Sequence, residues 1–128
     1  MKNELKVIAR GHTINLSKEL EILLKFLNIK PNQDKIAFGI LLDILDTTNQ
    51  ENGVKTKDIA KRAGISQAAA IYQINKFLEK GFIKKIGSRY FLRGETLEET
   101  IDEMKKDYLR KMERIKKVAK RLDQFLYS

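Results

Sequence analysis

Residues 54–93 run VKTKDIAKRAGISQAAAIYQINKFLEKGFIKKIGSRYFLR. Thr56 is a suitable N-cap for a short helix over 57–63, with Ile59 and Ala60 facing inward and Gly64 placed for the left-handed residue that ends it. Ser66 caps a second helix expected to reach about Lys80 and to bury Ala70, Ile74 and Phe77 at i, i+4, i+7, with Gly81 as its stop. The corner between the two, Ala63-Gly64-Ile65-Ser66, joins helices at a steep angle and leaves the second projecting from the body. After Gly81, the apolar runs Phe82–Ile86 and Tyr90–Arg93 flank Gly87-Ser88-Arg89, a strand, tight turn and strand.

Upstream, residues 33–47 carry Ile36, Ala37, Phe38, Ile40, Leu41, Leu42, Ile44 and Leu45, too widely apolar for a surface helix and therefore the central core helix. Before Pro31, Leu20, Leu23, Leu24 and Leu27 repeat at i, i+3, i+4, i+7 and predict a helix over 17–28. Residues 4–16 alternate loosely around Gly11, which allows a strand or a strained hairpin. Ile71 and Leu78 lie beside the main buried stripe of the 66–80 helix, so the helix at 17–28 or a C-terminal helix should cover them.

Downstream, Thr96-Leu97-Glu98-Glu99 fits a capping box and opens a helix with no breaker to about residue 127. Its apolar positions Leu97, Ile101, Met104, Tyr108, Met112, Ile115, Ala119, Leu122 and Leu126 form a heptad seam with one stutter between Tyr108 and Met112. At about 1.5 Å per residue this is a rod of roughly 45 Å, longer than the domain it follows. It either folds back over its own domain or pairs with the same helix of a second chain.

The 54–93 stretch resembles the winged helix-turn-helix of the MarR, ArsR and TrmB-like regulators of bacteria and archaea. The resemblance is carried by the helix pair with its AGIS turn, the FLEKGFI phrase leading into the wing, and the short wing itself; the core helix at 33–47 supplies the first helix. It implies a mainly α fold with a small β-hairpin wing: an N-terminal strand and helix extension over 1–31, a winged helix-turn-helix domain over 32–94 and a long dimerisation helix over 95–128. It further implies that the 66–80 helix lies in the major groove of double-stranded DNA and that the chain is a homodimer through its terminal helices. The base-reading side is then Gln67, Ala68, Ala69, Tyr72, Gln73 and Lys76. Gln reads adenine with two hydrogen bonds and Ala packs on a thymine methyl, which suits A·T-rich sites, while the absence of arginine removes the commonest guanine contact. For phosphate and wing contacts, the expected residues are Lys55, Lys57, Lys61, Arg62, Ser66, Lys84, Lys85, Arg89 and Arg93, with Arg89 at the wing tip entering a minor groove.

Charge supports a polyanion partner. The 128 residues carry a formal net charge of +9. Residues 1–53 are neutral with 7 basic and 7 acidic groups, 54–93 hold 10 and 2, and 94–128 hold 9 and 8. The middle forty residues therefore carry nearly all of the excess, as a DNA-binding face requires. Composition alone does not explain this, because the C-terminal third has comparable Lys and Arg but nearly equal Asp and Glu.

Several chemistries are excluded or unsupported. With no cysteine there are no disulfides, thiolate metal sites or thiol nucleophiles, and His12, the one histidine, builds no metal cluster. The seven glycines give neither a phosphate loop nor a dinucleotide fingerprint, and no catalytic triad is legible. No enzyme activity or cofactor is expected. The longest run free of strongly polar residues, Ala37 to Leu42, is far short of the roughly 20 a bilayer needs, and the N-terminus lacks an apolar leader segment, so a cytoplasmic, nucleoid-associated protein is expected. Three functions remain: a homodimeric transcriptional regulator, a winged-helix module for protein docking in a transcription or replication assembly, and a non-specific nucleoid protein. An apolar pocket near the dimer seam is the place any small effector would have to use.

Overall fold

The computed structural model describes residues 6–9, 12–30, 32–46 and 51–128. Strands β1 (Lys6–Ala9) and β2 (His12–Asn15) pair antiparallel, which resolves the N-terminal alternatives as a hairpin; Gly11 lies outside the described residues. The helices are α1 (Leu16–Phe26), α2 (Lys35–Leu45), α3 (Thr56–Ala63), α4 (Gln67–Glu79) and α5 (Leu97–Leu126). A second sheet has the order β3-β5-β4, from β3 (Val54–Lys55), β4 (Ile83–Ile86) and β5 (Arg89–Leu92). The chain is thus mainly helical with a small antiparallel wing and a long C-terminal helix.

β3 is the element missed in the sequence. Its two residues pair with Tyr90 and Arg89 of β5, so the wing is a three-stranded sheet rather than a hairpin alone. α3 starts on Thr56 itself, with Lys55 as its N-cap, because the strand runs directly into the helix. α2 is shorter at both ends than expected, and residues 47–50 lie outside the description.

Local chemistry sets the helix ends. Gly64 adopts φ +68°, its N–H bonding the Lys61 carbonyl and that of Ile65 the Ala60 carbonyl, a double bond pattern that needs a residue free to enter the left-handed region. Asn28 ends α1 the same way at φ +58°, with Ile29 bonding Leu24. Ser66 Oγ accepts from the Ala69 N–H at 3.0 Å and starts α4.

One core draws on nearly all of these elements: Leu24 and Leu27 from α1, Ile40, Leu41 and Ile44 from α2, Ile59 and Ala60 from α3, Ala70, Ile74 and Phe77 from α4, and Val54, Ile83, Tyr90 and Leu92 from the wing sheet. Phe82, fully buried between α4 and β4, stacks at a tilt on Phe77 with ring centroids 6.1 Å apart. Each such large side chain contributes about 1.5–3 kcal/mol by burial. α1, expected as part of an extension, shares this core. Lys80 at the end of α4 donates to the Leu27 carbonyl, tying the last turn of α1 to α4, and burial pushes its amine pKa down, with Lys76 adding to the effect and Asp34 opposing it.

α5 is held at one end. Thr96 Oγ1 accepts from the Glu99 N–H, while the Glu99 carboxylate accepts from the Glu95 N–H, one residue earlier than in the usual box. Thr100, fully buried, accepts from the Gly94 N–H and donates to the Thr96 carbonyl. Arg93 forks onto both oxygens of Asp107 and also bonds the Gly81 carbonyl. From Tyr108 to Ser128 every residue is exposed, so the helix does not fold back over its own domain.

Candidate nucleic-acid interface

α4 is fixed from behind: Ala70 and Ile74 are fully buried and Phe77 nearly so, which fixes the rotation of the helix and turns Ala68, Tyr72, Asn75 and Lys76 outward. Tyr72 is 63% exposed, and the Lys76 amine sits 4.6 Å from its ring centroid. That contact stiffens an otherwise free aromatic side chain and keeps a positive charge beside it.

The two glutamines do not share a face. Six residues apart at 100° per residue, they point about 120° away from one another. Gln67 is exposed and lines a shallow cleft of about 300 Å³ with Lys55, Thr56, Lys57, Ile71, Lys85, Ser88 and Tyr90, between the start of α4 and the wing. Gln73 and Ala69 are half-buried on the opposite flank. Ile71 is 41% exposed in the cleft, so the expected cover of a further helix fails there; Leu78 is half-buried against the core. Asn75 was missed in the sequence, although counting helical phase from the buried triad finds it. Its amide has the same donor and acceptor pair that reads adenine.

The basic residues sort into two sets. Lys55, Lys57 and Lys85 converge on the cleft, and Lys61 is exposed on α3. Among the described residues none of these four has an ion-pair partner, although the Lys85 amine lies 5.7 Å from the Tyr90 ring centroid. The other set faces inward or away. Arg62 pairs with Asp43 of α2 at 3.0 Å, which fixes its Nε while its side chain stays 49% exposed. Arg89 begins β5 and donates to the Asn52 carbonyl at 3.0 Å; the turn itself is Gly87-Ser88, so Arg89 leans back from the tip where it was expected. Lys84 precedes Lys85 on β4 and therefore points to the opposite face of the strand, where it borders a hollow with Glu95, Glu99, Asp102 and Glu103. Arg93, expected among the phosphate contacts, is instead the anchor of α5; its side chain is only 24% exposed, and the Asp107 hydrogen bond raises its pKa. Ser66 Oγ is the cap of α4.

Along α5, Leu97 and Tyr108 are exposed and Ile101 and Met104 half-buried; Tyr108, Ile101 and Met104 border a largely apolar groove of about 580 Å³ with Phe26 of α1 and with Lys80, Lys105, Asp107 and Lys111. Farther along, Met112, Ile115, Ala119, Leu122 and Leu126 of the seam are exposed, and so are Leu109, Val118 and Phe125, which the seam omitted. Val118 and Phe125 complete an unbroken 3-4 spacing from Leu97 in which Lys111 is the single polar member, so the apolar stripe is broader than one seam. No group of three His, Asp or Glu placed to hold a metal occurs among the described residues, and no helix of these is long and apolar enough to cross a membrane.

Residues 39–84 match the family profile described as winged helix-turn-helix DNA-binding. That span runs from α2 through both helices of the corner to the start of the wing, so the chain carries a winged helix-turn-helix DNA-binding domain. Among solved structures, the chain is similar to one titled a possible transcriptional regulator from Methanosarcina mazei Go1, with 9% identity, a TM-score of 0.42, and coverage of 90% of this chain and 97% of that one. No curated protein matches the chain in sequence.

Proposed function

We propose that this winged helix-turn-helix chain is a homodimeric DNA-binding transcriptional regulator, with α4 in the major groove and the lysines around the cleft on the flanking phosphates. The observation that carries the reading is the pairing of a projecting, rigidly phased helix face with a surround of four lysines, Lys55, Lys57, Lys61 and Lys85, that have no ion-pair partner among the described residues. Phosphate contacts from such lysines give affinity and register, and the side chains of Gln67, Ala68, Tyr72, Asn75 and Lys76 are left to read base edges. Dimerisation through α5 supplies the second half-site.

A mobility-shift titration against duplexes of varied sequence and salt tests this. If each subunit contributes about five phosphate contacts, log affinity falls against log salt with a slope of roughly −9. Ala68→Glu places a carboxylate on the exposed outward face of α4 and should leave circular dichroism unchanged while abolishing binding to every duplex. A folded variant that still binds DNA would remove α4 from the groove. The absence of arginine from the outward face supports a second reading, a non-specific DNA-coating protein; equal affinity for all duplexes would select it.

A further inference from the structure

α5 is electrically divided in a way its total charge hides. Residues 95–107 hold six acidic and two basic groups, a net charge of −4, and residues 108–128 hold seven basic and two acidic, a net charge of +5. The helix dipole favours acids in the first turn and bases in the last, an influence confined to those turns. Here the acidic excess continues to Asp107, in the third turn, with Lys105 and Lys106 the two bases among it, and the basic excess begins at Arg110, in mid-helix. The apolar stripe crosses both halves, from Leu97 and Ile101 to Leu122 and Phe125, with Lys111 its one polar member.

We infer that two copies of this chain pair their α5 helices antiparallel, crossing near residues 111–113, so that the basic distal half of each lies along the acidic proximal half of the other. This rests on the homodimer proposed above and names its geometry. A parallel pair would set −4 against −4 and +5 against +5 along its whole length, whereas the antiparallel pair sets opposite charges together in both halves. The apolar residues agree in register: reversal about the point between Lys111 and Met112 carries Leu122, Ala119 and Ile115 onto the level of Ile101, Met104 and Tyr108. Those proximal residues border the groove with Phe26, which gives the partner's distal seam an apolar floor. Lys80, Lys105, Asp107 and Lys111 line the same groove, and in this register the partner's Lys120 and the partner's Arg121 fall level with Glu103 and Asp102. The occupant is a second copy because this chain holds both complementary halves and cannot bring its own together on one straight helix.

The chain has no cysteine, so single cysteines introduced on exposed positions report neighbours directly. Leu126→Cys alone should form no disulfide between subunits, because the two sites are roughly 40 Å apart in the antiparallel pair. Mixed with Leu97→Cys, it should give a covalent heterodimer, and Met112→Cys, near the crossing, should link to itself. Spin labels at residue 126 should likewise report a separation of roughly 40 Å. Rapid self-linking of Leu126→Cys, or a label distance below about 20 Å, would establish a parallel pair and overturn this inference while leaving the homodimer standing. Light scattering of the unmodified full chain separates the two: a monomer at micromolar concentration overturns the homodimer itself.

Discussion

α4 and the distal half of α5 are both amphipathic helices, yet their apolar residues meet opposite fates. In α4 the stripe Ala70, Ile74, Phe77 is sealed by α2, α3 and the wing, and its polar face is left to meet a ligand. In distal α5 the stripe itself is the exposed face, with Phe125 at 81% and Leu122 at 53%. The difference lies in context rather than in helix chemistry. A helix surrounded by others within one chain spends its apolar side on folding, and one that runs beyond its domain leaves that side uncovered by its own chain.

Substitutions of equal chemistry on the two helices should therefore separate stability from assembly. Phe82→Ala, in the core beneath α4, should destabilise the chain by about 3–5 kcal/mol, read as a lowered midpoint in urea. Phe125→Ala should leave the unfolding of the isolated subunit unchanged and weaken only self-association. Equal losses from both would show that distal α5 is buried within its own subunit. Removing residues 108–128 should next produce a monomer by sedimentation with its helical core intact, and lower duplex affinity about 100-fold through loss of the second half-site.

Within the proposed DNA-facing region the effects are smaller and sort by contact type. Gln67→Ala should cost about 1–3 kcal/mol on the preferred duplex and much less on random DNA, because only a base-edge contact discriminates. Lys57→Ala should weaken all duplexes alike and make the salt slope shallower by roughly 2 for a dimer. Lys84→Ala should change neither, since its side chain points to the opposite face of β4; an effect equal to that of Lys57→Ala would place both faces of the wing on DNA.

The smallest effect concerns the joint between the two regions. The Arg93 hydrogen bond holds the Asp107 carboxyl below the usual aspartate pKa, aided by Arg110. A carboxylate depressed in the folded state contributes stability above its ordinary pKa and loses it as pH falls toward the lowered one. Acid below about pH 4 should therefore loosen the proximal turns of α5 before the core unfolds, and Asp107→Asn should abolish that step, as seen by hydrogen exchange at residues 100–107.

Much of this molecule was legible in local chemistry. Gly64 and Ser66 mark the corner because a residue free to enter the left-handed region ends α3 there and a short polar side chain that can accept from the first turn caps α4. The spacing of Ala70, Ile74 and Phe77 sets the inner face of α4, and periodicity alone predicts a helix of about thirty residues after Thr96. These features depend on neighbours a few residues apart. What the tertiary structure decided depends on distant ones: the strand at Val54–Lys55 exists only because β5 offers it a free edge, Lys84 and Lys85 separate because β4 has two faces, and Arg93 turns from the expected DNA face because Asp107, fourteen residues on, is brought beside it. Residue type fixes that an arginine carries a positive charge; the fold alone decides which anion is near enough to claim it.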